Sequence, residues 1–263
     1  QLVELFDKVL RRDFRHLDID RARVVLIEAL DHLLPPFSPQ SRRHARTILE
    51  QRGVQVRTGT SVERITATRV HLQGGEVMEA HTLIWAAGVK ANPLVRALEL
   101  DAGPSGRILV EPDLGLAGHL GSFAIGDIAA AVDPDGEPLP LLAPVAMQAG
   151  RHVAAQICRS LCGEPTRPFR YTDKGTMATI GRRAAVAELP LGIKLQGTPA
   201  WFAWLGLHLV FLVGNRNRFS VLLNWAWNYL TWDRGPRLIL ELVGAGPGGR
   251  RPASSVDDEL PVG

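Results

Sequence analysis

Ser122-Phe123-Ala124-Ile125-Gly126-Asp127-Ile128 constrains this chain more than any other stretch. Phe123 to Ile125 form an apolar run too short for a helix, so the stretch reads as a short buried strand that breaks at Gly126. Glycine lets backbone approach a ligand closely, which leaves Asp127 free to accept a hydrogen bond from a sugar-like hydroxyl. The same residues also suit an ordinary strand-to-loop turn with a capping aspartate. Ala143 to Leu161 reads as a helix packed behind this corner, with small residues on one face, suiting a helix whose N-terminus approaches a ligand.

The flanking pattern alternates strands and helices. Leu2, Leu5, Phe6, Val9 and Leu10 recur at three- and four-residue spacing, which predicts a helix from Gln1 to about Arg15. Arg23-Val24-Val25-Leu26-Ile27 is a β-branched, apolar strand that stops at Glu28. A helix followed by a buried strand ending in an acid matches the second half of a βαβ dinucleotide unit, where the acid takes the adenosine ribose hydroxyls. Many strands that bind nothing also end in glutamate. Ser38-Pro39 reads as an N-cap with proline at the first helical position, opening a helix to about Arg52 that Gly53 closes. Val54 to Val56, Val62 to Ile65, Val70 to Leu72 and Val77 to Glu79 read as strands of a small antiparallel meander, with Gly74-Gly75 as a hairpin turn.

Thr82-Leu83-Ile84-Trp85 is predicted to be a buried strand. The small Ala86-Ala87-Gly88 after it would let a flat ring or a pyrophosphate come against the backbone, or would simply permit a tight turn. A short helix from Asn92 to Leu100 and a strand from Arg107 to Val110 lead to the Phe123 stretch, and Pro165 and Pro168 mark a boundary after it. Beyond them, Tyr171 to Gly181 reads as a loop and strand in which Lys174 is glycine-flanked and could reach inward, although a lone lysine is usually solvated.

With 263 residues, 46% of them hydrophobic, the chain can bury the core of one or two domains. Its net charge of +3 is spread through separate arginine doublets, so no nucleic-acid partner is expected. Cys158 and Cys162 lie four apart on a predicted helix, which is neither metal-ligand nor CxxC spacing; we expect no metal site and two reduced packing residues. Five of the six tryptophans fall between Gly197 and Arg237, in two apolar helices joined by a basic turn. Each helix is too short to span a bilayer comfortably, and tryptophan belongs at the headgroup level, so the pair suits a membrane interface with Arg216 and Arg218 near phosphates. A buried hairpin or a dimer interface would use tryptophan in the same way. Gly244 to Gly249 formally contains GxGxxG, but no helix with a buried face follows, so residues 238–263 read as a flexible tail.

Taken in order, these motifs resemble the type II NADH dehydrogenases, the single-subunit, non-proton-pumping NADH:quinone oxidoreductases of the two-dinucleotide-binding-domain flavoproteins. The resemblance runs colinearly from about residue 1 to 235. It rests on the strand ending at Glu28, Leu83 to Val89, Phe123 to Asp127, Ala146 to Gly150, Tyr171 to Gly181 and the tryptophan-rich end. It implies an α/β, Rossmann-like but partial fold with a C-terminal membrane-associating helical segment. Residues 1–90 would be the remainder of the NADH-binding domain, 91–162 the C-terminal half of the FAD-binding domain, and 163–237 the quinone and membrane region.

The implied cofactors are FAD and NAD. Asp127, beside Gly126, would hold the FAD ribityl chain, and Ala146 and Gln148 would lie against the isoalloxazine where quinone arrives. Lys174 would sit near the flavin, where a cation stabilises the anionic reduced ring. Glu28 would hold the NADH ribose and repel a 2′-phosphate, while Ala87 and Gly88 would pass near the nicotinamide. Gln148 and Lys174 are the expected catalytic residues. The implied reaction is hydride transfer from NADH to flavin, then two-electron reduction of a membrane quinone. It would take place at the cytoplasmic side of a bacterial inner membrane, and a homodimer is the further expected assembly. The family's glycine-rich pyrophosphate turns would precede Gln1, so the chain reads as an N-terminally truncated piece whose flavin half folds poorly alone. The alternative is a non-catalytic membrane-docking or dimerisation module on a degenerate flavoprotein fold.

Overall fold

The computed structural model describes residues 2–6, 10, 11, 16, 18–231 and 260–261. In chain order its elements are α1 (Leu2–Leu5), β1 (Val24–Ile27), α2 (Pro39–Gln51), β2 (Val54–Arg57), β3 (Val62–Ile65), β4 (Arg69–Leu72) and β5 (Val77–Glu79). There follow α3 (Leu94–Ala97), β6 (Ile108–Leu109), β7 (Gly115–Leu116), β8 (His119–Phe123), β9 (Ala129–Ala130) and α4 (Ala143–Leu161). The last are β10 (Thr176–Gly181), β11 (Ala184–Glu188), β12 (Lys194–Gln196), α5 (Thr198–Phe211), α6 (Asn215–Thr231) and β13 (Leu260–Pro261). They divide into two compact units, Gln1–Leu83 with Gly175–Gly263, and Ile84–Lys174.

In the first unit, β1 and β2 pair in parallel from Val24↔Val54 to Ile27↔Arg57, with α2 as the crossover. Pro39 opens α2 and Gly53, at φ +83, follows its end, as the sequence predicts. One expectation changes: β2 belongs to this βαβ unit and not to the meander, because the helical crossover returns the chain in the original direction. The meander is β3-β4-β5, with β13 paired to β3 at its edge. Gly74 and Gly75 both have positive φ in the hairpin turn, and Arg57 reaches that turn with two 2.6 Å bonds to the Glu76 carboxylate. Most of the predicted tail, including the GxGxxG decoy, lies outside the described residues.

The third sheet of this unit is the antiparallel β10-β11-β12. Three of the five residues of β11 are alanine, and Ala184 to Ala187 are buried. Side chains alternate faces along a strand, so Ala185 and Ala187 share one face, where they meet Ala200 and Trp201 of α5. Glu188 lies on the other face, at the N-terminus of α2. Its carboxylate accepts Ser38 N–H at 3.0 Å, the Ser38 hydroxyl, and the Ser41 hydroxyl at 2.6 Å. Ser38 therefore occupies the predicted cap position, but the oxygen that caps the helix comes from Glu188. At the other end of α2, Arg52 donates to Arg182 O at 2.7 Å and pairs with Glu4, which also accepts Arg182 N–H at 3.1 Å. A Cβ on Gly181 would collide with that guanidinium, so glycine is what lets Arg52 in.

In the second unit, α4 buries Val145, Ala149, Val153 and Gln156 along one face, the first three packing with Leu114, Leu139 and Phe169. A second cluster joins Val95, Ile108, Ala124 and Ala129, where β6 pairs in parallel with β9. Three sequence expectations fail in the chain between Thr82 and Cys162. Thr82 to Trp85 is not a strand: among the described residues no strand pairs with it, and Ile84 and Trp85 are 64% and 50% exposed. An apolar strand is stabilised by lateral partners, and without them its backbone groups turn to solvent. The Phe123 strand ends at Phe123, with Ala124 buried and Ile125 exposed. Cys158 and Cys162 are both exposed and free, so they are not packing residues.

Burial alone would raise the Glu188 carboxyl, but donation from Ser38 and Ser41 and the charge of Lys194 outweigh it and hold the group below its ordinary value. A depressed folded-state value means stabilisation that is complete above the ordinary glutamate range, about pH 4.3, and lost as pH falls through the folded value. Glu188→Ala is expected to cost about 1–3 kcal/mol near neutral pH in thermal melts, and progressively less in acid. An equal cost at both ends of the pH series would dismiss the cap.

Candidate functional site

The corner that opens at Ile125 is built by a single tight turn, Gly126–Ile128. Gly126 sits at φ +74, and a Cβ there would meet only the Cβ of Ala146, at 3.8 Å. Ala146 comes from the first turn of α4, whose cap position is Leu142, a residue with no polar side chain to satisfy the helix end. Asp127 is exposed, and its carboxylate has no hydrogen bond or ion pair among the described residues. Gly126, Asp127 and Ala146 line one shallow depression together with Arg107. Arg107 Nη1 reaches Ala129 O at 3.5 Å, while its buried Nε has no partner among the described residues. Sequence reading missed Arg107 as a neighbour of this corner, because only the pairing Ile108↔Ala129 brings it there.

Gln148 lies further along α4. Its amide Nε2 donates to Thr172 O at 2.9 Å, and its Oε1 accepts Thr172 N–H at 3.0 Å. Both ends of the side chain thus grip one backbone residue, two positions before Lys174, which is exposed. The intervening Asp173 acts on Tyr171: burial pushes that phenol up, and the Asp173 charge and hydrogen bond push it further. Thr172 carries no sequence signal, since its role is played entirely by backbone.

Glu28 belongs to the first unit. Its backbone extends the β1-β2 ladder by bonds to Arg57 O and from Thr60 N–H, at 2.9 and 3.1 Å. One carboxylate oxygen, Oε1, accepts Leu30 N–H at 3.0 Å, and Oε2 has no partner among the described residues. Ala87 and Gly88 are exposed in an irregular stretch, with Gly88 at φ +100, and neither lines the depression of Asp127.

Helices α5 and α6 form the expected hairpin. Phe202, Val210, Phe219 and Trp227 are each 60% exposed or more. Arg218 does not point its charge outward: Nε donates to Leu212 O at 2.9 Å and Nη2 to Val210 O at 2.8 Å, closing the end of α5. Arg216 is the arginine of this turn without a partner among the described residues. Among the described residues no helix is long and apolar enough to cross a membrane, and no cluster could hold a metal ion.

Residues 14–150 match the family model for pyridine nucleotide-disulphide oxidoreductases, just over half of the chain. This chain belongs to that family. Residues 174–232 match the NDH2 C-terminal domain. The type II NADH:quinone oxidoreductase Ndh of Mycobacterium tuberculosis is 34% identical over 254 residues, covering 92% of this chain and 53% of that protein. The internal alternative NAD(P)H-ubiquinone oxidoreductase A1 of Arabidopsis thaliana mitochondria is 31% identical, covering 88% of this chain and 48% of the relative. The chain spans about half the length of these curated relatives. NDH2 from Plasmodium falciparum, solved in complex with NADH, superposes with a TM-score of 0.74 at 14% identity, over 88% of this chain and 62% of that one. The expected kinship with type II NADH dehydrogenases and the α/β flavoprotein fold therefore both hold.

Arg218→Met is expected to leave two carbonyls at the end of α5, Val210 O and Leu212 O, uncapped and to cost about 1–2 kcal/mol in thermal melts. An unaltered melting temperature would show that the cap contributes nothing.

Proposed function

We propose that the complete protein is a FAD-dependent NADH:quinone oxidoreductase that pumps no protons, held as a peripheral protein at the cytoplasmic side of a bacterial inner membrane. The observation that carries this reading is the corner itself: an exposed, unpartnered Asp127 carboxylate beside a positive-φ glycine at the open end of α4. The order of the two domain matches, with 1–90 and 91–162 as nucleotide-binding parts and 163–237 as the quinone and membrane region, supports it.

The residues present fit FAD. Asp127 is an acceptor for ribityl hydroxyls, Gly126 leaves space that Ala146 does not fill, and Arg107 Nε is a buried donor awaiting an acceptor. The chemistry supplied by FAD when bound is acceptance of a hydride from NADH and delivery of two electrons to a quinone. Ala146 and Gln148 border the ring's place on α4, and Lys174 contributes a cation near it. Glu28 offers Oε2 to the NADH ribose, and its charge disfavours a 2′-phosphate; Ala87 and Gly88 present open backbone for the nicotinamide end. The exposed apolar hairpin of α5 and α6 is the surface for the membrane, from which the quinone arrives, or for a second copy in a homodimer. That same hairpin favours the second reading, a docking module without catalysis.

In the complete protein, Asp127→Ala is expected to lower bound flavin several-fold by its visible absorbance, while flavin content equal to wild type would remove Asp127 from the site. Deletion from Gly197 onward is expected to release the protein from membranes and to reduce quinone turnover more than turnover of a water-soluble dye. Retention on membranes at high salt would transfer the docking role elsewhere.

A further inference from the structure

The extended segment Pro165–Lys174 lies along α4, and its contacts run in reverse order down one face of that helix. Arg159 Nε donates to Pro165 O at 2.8 Å, Gln156 Oε1 accepts Arg167 N–H at 2.8 Å, and Phe169 packs against His152 with ring centroids 5.3 Å apart. Gln148 then takes both backbone groups of Thr172. The helix positions 159, 156, 152 and 148 are separated by three or four residues, the spacing of a single helical face. The segment is thus a strap laid antiparallel on α4, and Gln148 is its final attachment before Lys174.

We propose that Gln148 is a positioning residue, the latch that fixes Thr172 and through it the place of Lys174. The chemistry of the side chain supports this. A primary amide presents a donor and an acceptor in one plane, so it can satisfy the N–H and C=O of one extended residue as a neighbouring strand would. Both Gln148 bonds have good length, and with both made the amide's carbonyl oxygen and one of its N–H groups are already engaged. Thr172 is exposed, so its amide depends on Gln148 for protection from solvent exchange. The consequence for a flavin at Lys174 rests on the function proposed above; the latch itself does not.

Hydrogen exchange at the Thr172 amide in the intact chain tests the latch. Gln148→Ala is expected to accelerate that exchange about tenfold or more relative to wild type. Gln148→Glu gives a second, isosteric variant. Ionised, the carboxylate still accepts Thr172 N–H but has no donor for Thr172 O, so at about pH 7.5 the amide stays slower than in Gln148→Ala; protonated near pH 4 it can also donate, and protection approaches that of wild type at the same pH. Wild-type exchange in Gln148→Ala, or exchange in Gln148→Glu as fast as in Gln148→Ala at both pH values, would overturn the latch. Separately, Lys174→Ala with flavin content and visible spectrum unchanged in the flavin-loaded protein would remove Lys174 from the flavin site while leaving the latch in place.

Discussion

One carboxylate organises the first unit. Glu188 is placed at the N-terminus of α2 by strand alternation alone: on a β-strand the residue after Ala187 must face away from α5, and α2 is what lies on that side. A partly buried carboxylate is costly to desolvate unless donors surround it, and the helix end supplies them as an unpaired backbone N–H and two serine hydroxyls. The alanines preceding it allow the same strand to be covered closely on its other face by α5. Short side chains and one acid thus make β11 the seam on which both α2 and α5 depend.

The second unit uses backbone in the opposite way. Its core clusters bury α4 and two short parallel strands, while the chemically useful groups remain at the rim: Asp127 open to solvent, Arg107 half-satisfied, and Lys174 at the end of a strap. The rim geometry is set by main-chain features, a left-handed glycine at 126 and a backbone residue gripped by Gln148, and not by a dense polar network.

What could be read from the sequence was whatever local chemistry decides. The limits of α2 follow from proline at its start and from Gly53 just past its end, and those of α2 and α4 both emerge within a residue or so. The strands of the meander follow from alternation and from Gly74-Gly75. The misses are all non-local. Which strand β2 pairs with, whether Thr82 to Trp85 finds any partner, and where Arg218 directs its guanidinium depend on what folding brings alongside, and side-chain identity is silent on that. Gln148 was visible as a polar residue on α4, but its partner is the main chain of Thr172, which no residue type announces. The roles of Asp127, Lys174 and Glu28 rest on resemblance, to which the structure adds the exposure of Asp127 and Lys174 and the free carboxylate oxygens of Asp127 and Glu28.

The bond from Ser38 to Glu188 spans 150 positions of sequence, and the whole of residues 84–174 intervenes. During synthesis at roughly 5–20 residues per second, α2 would leave the ribosome about 8–30 s before the acid that caps it. Over that interval the first turn of the helix has its proline and local bonds such as Arg42 to Pro35 O, but not the acid. The first unit is therefore a discontinuous body that closes last, after the segment inserted into it has already had time to fold.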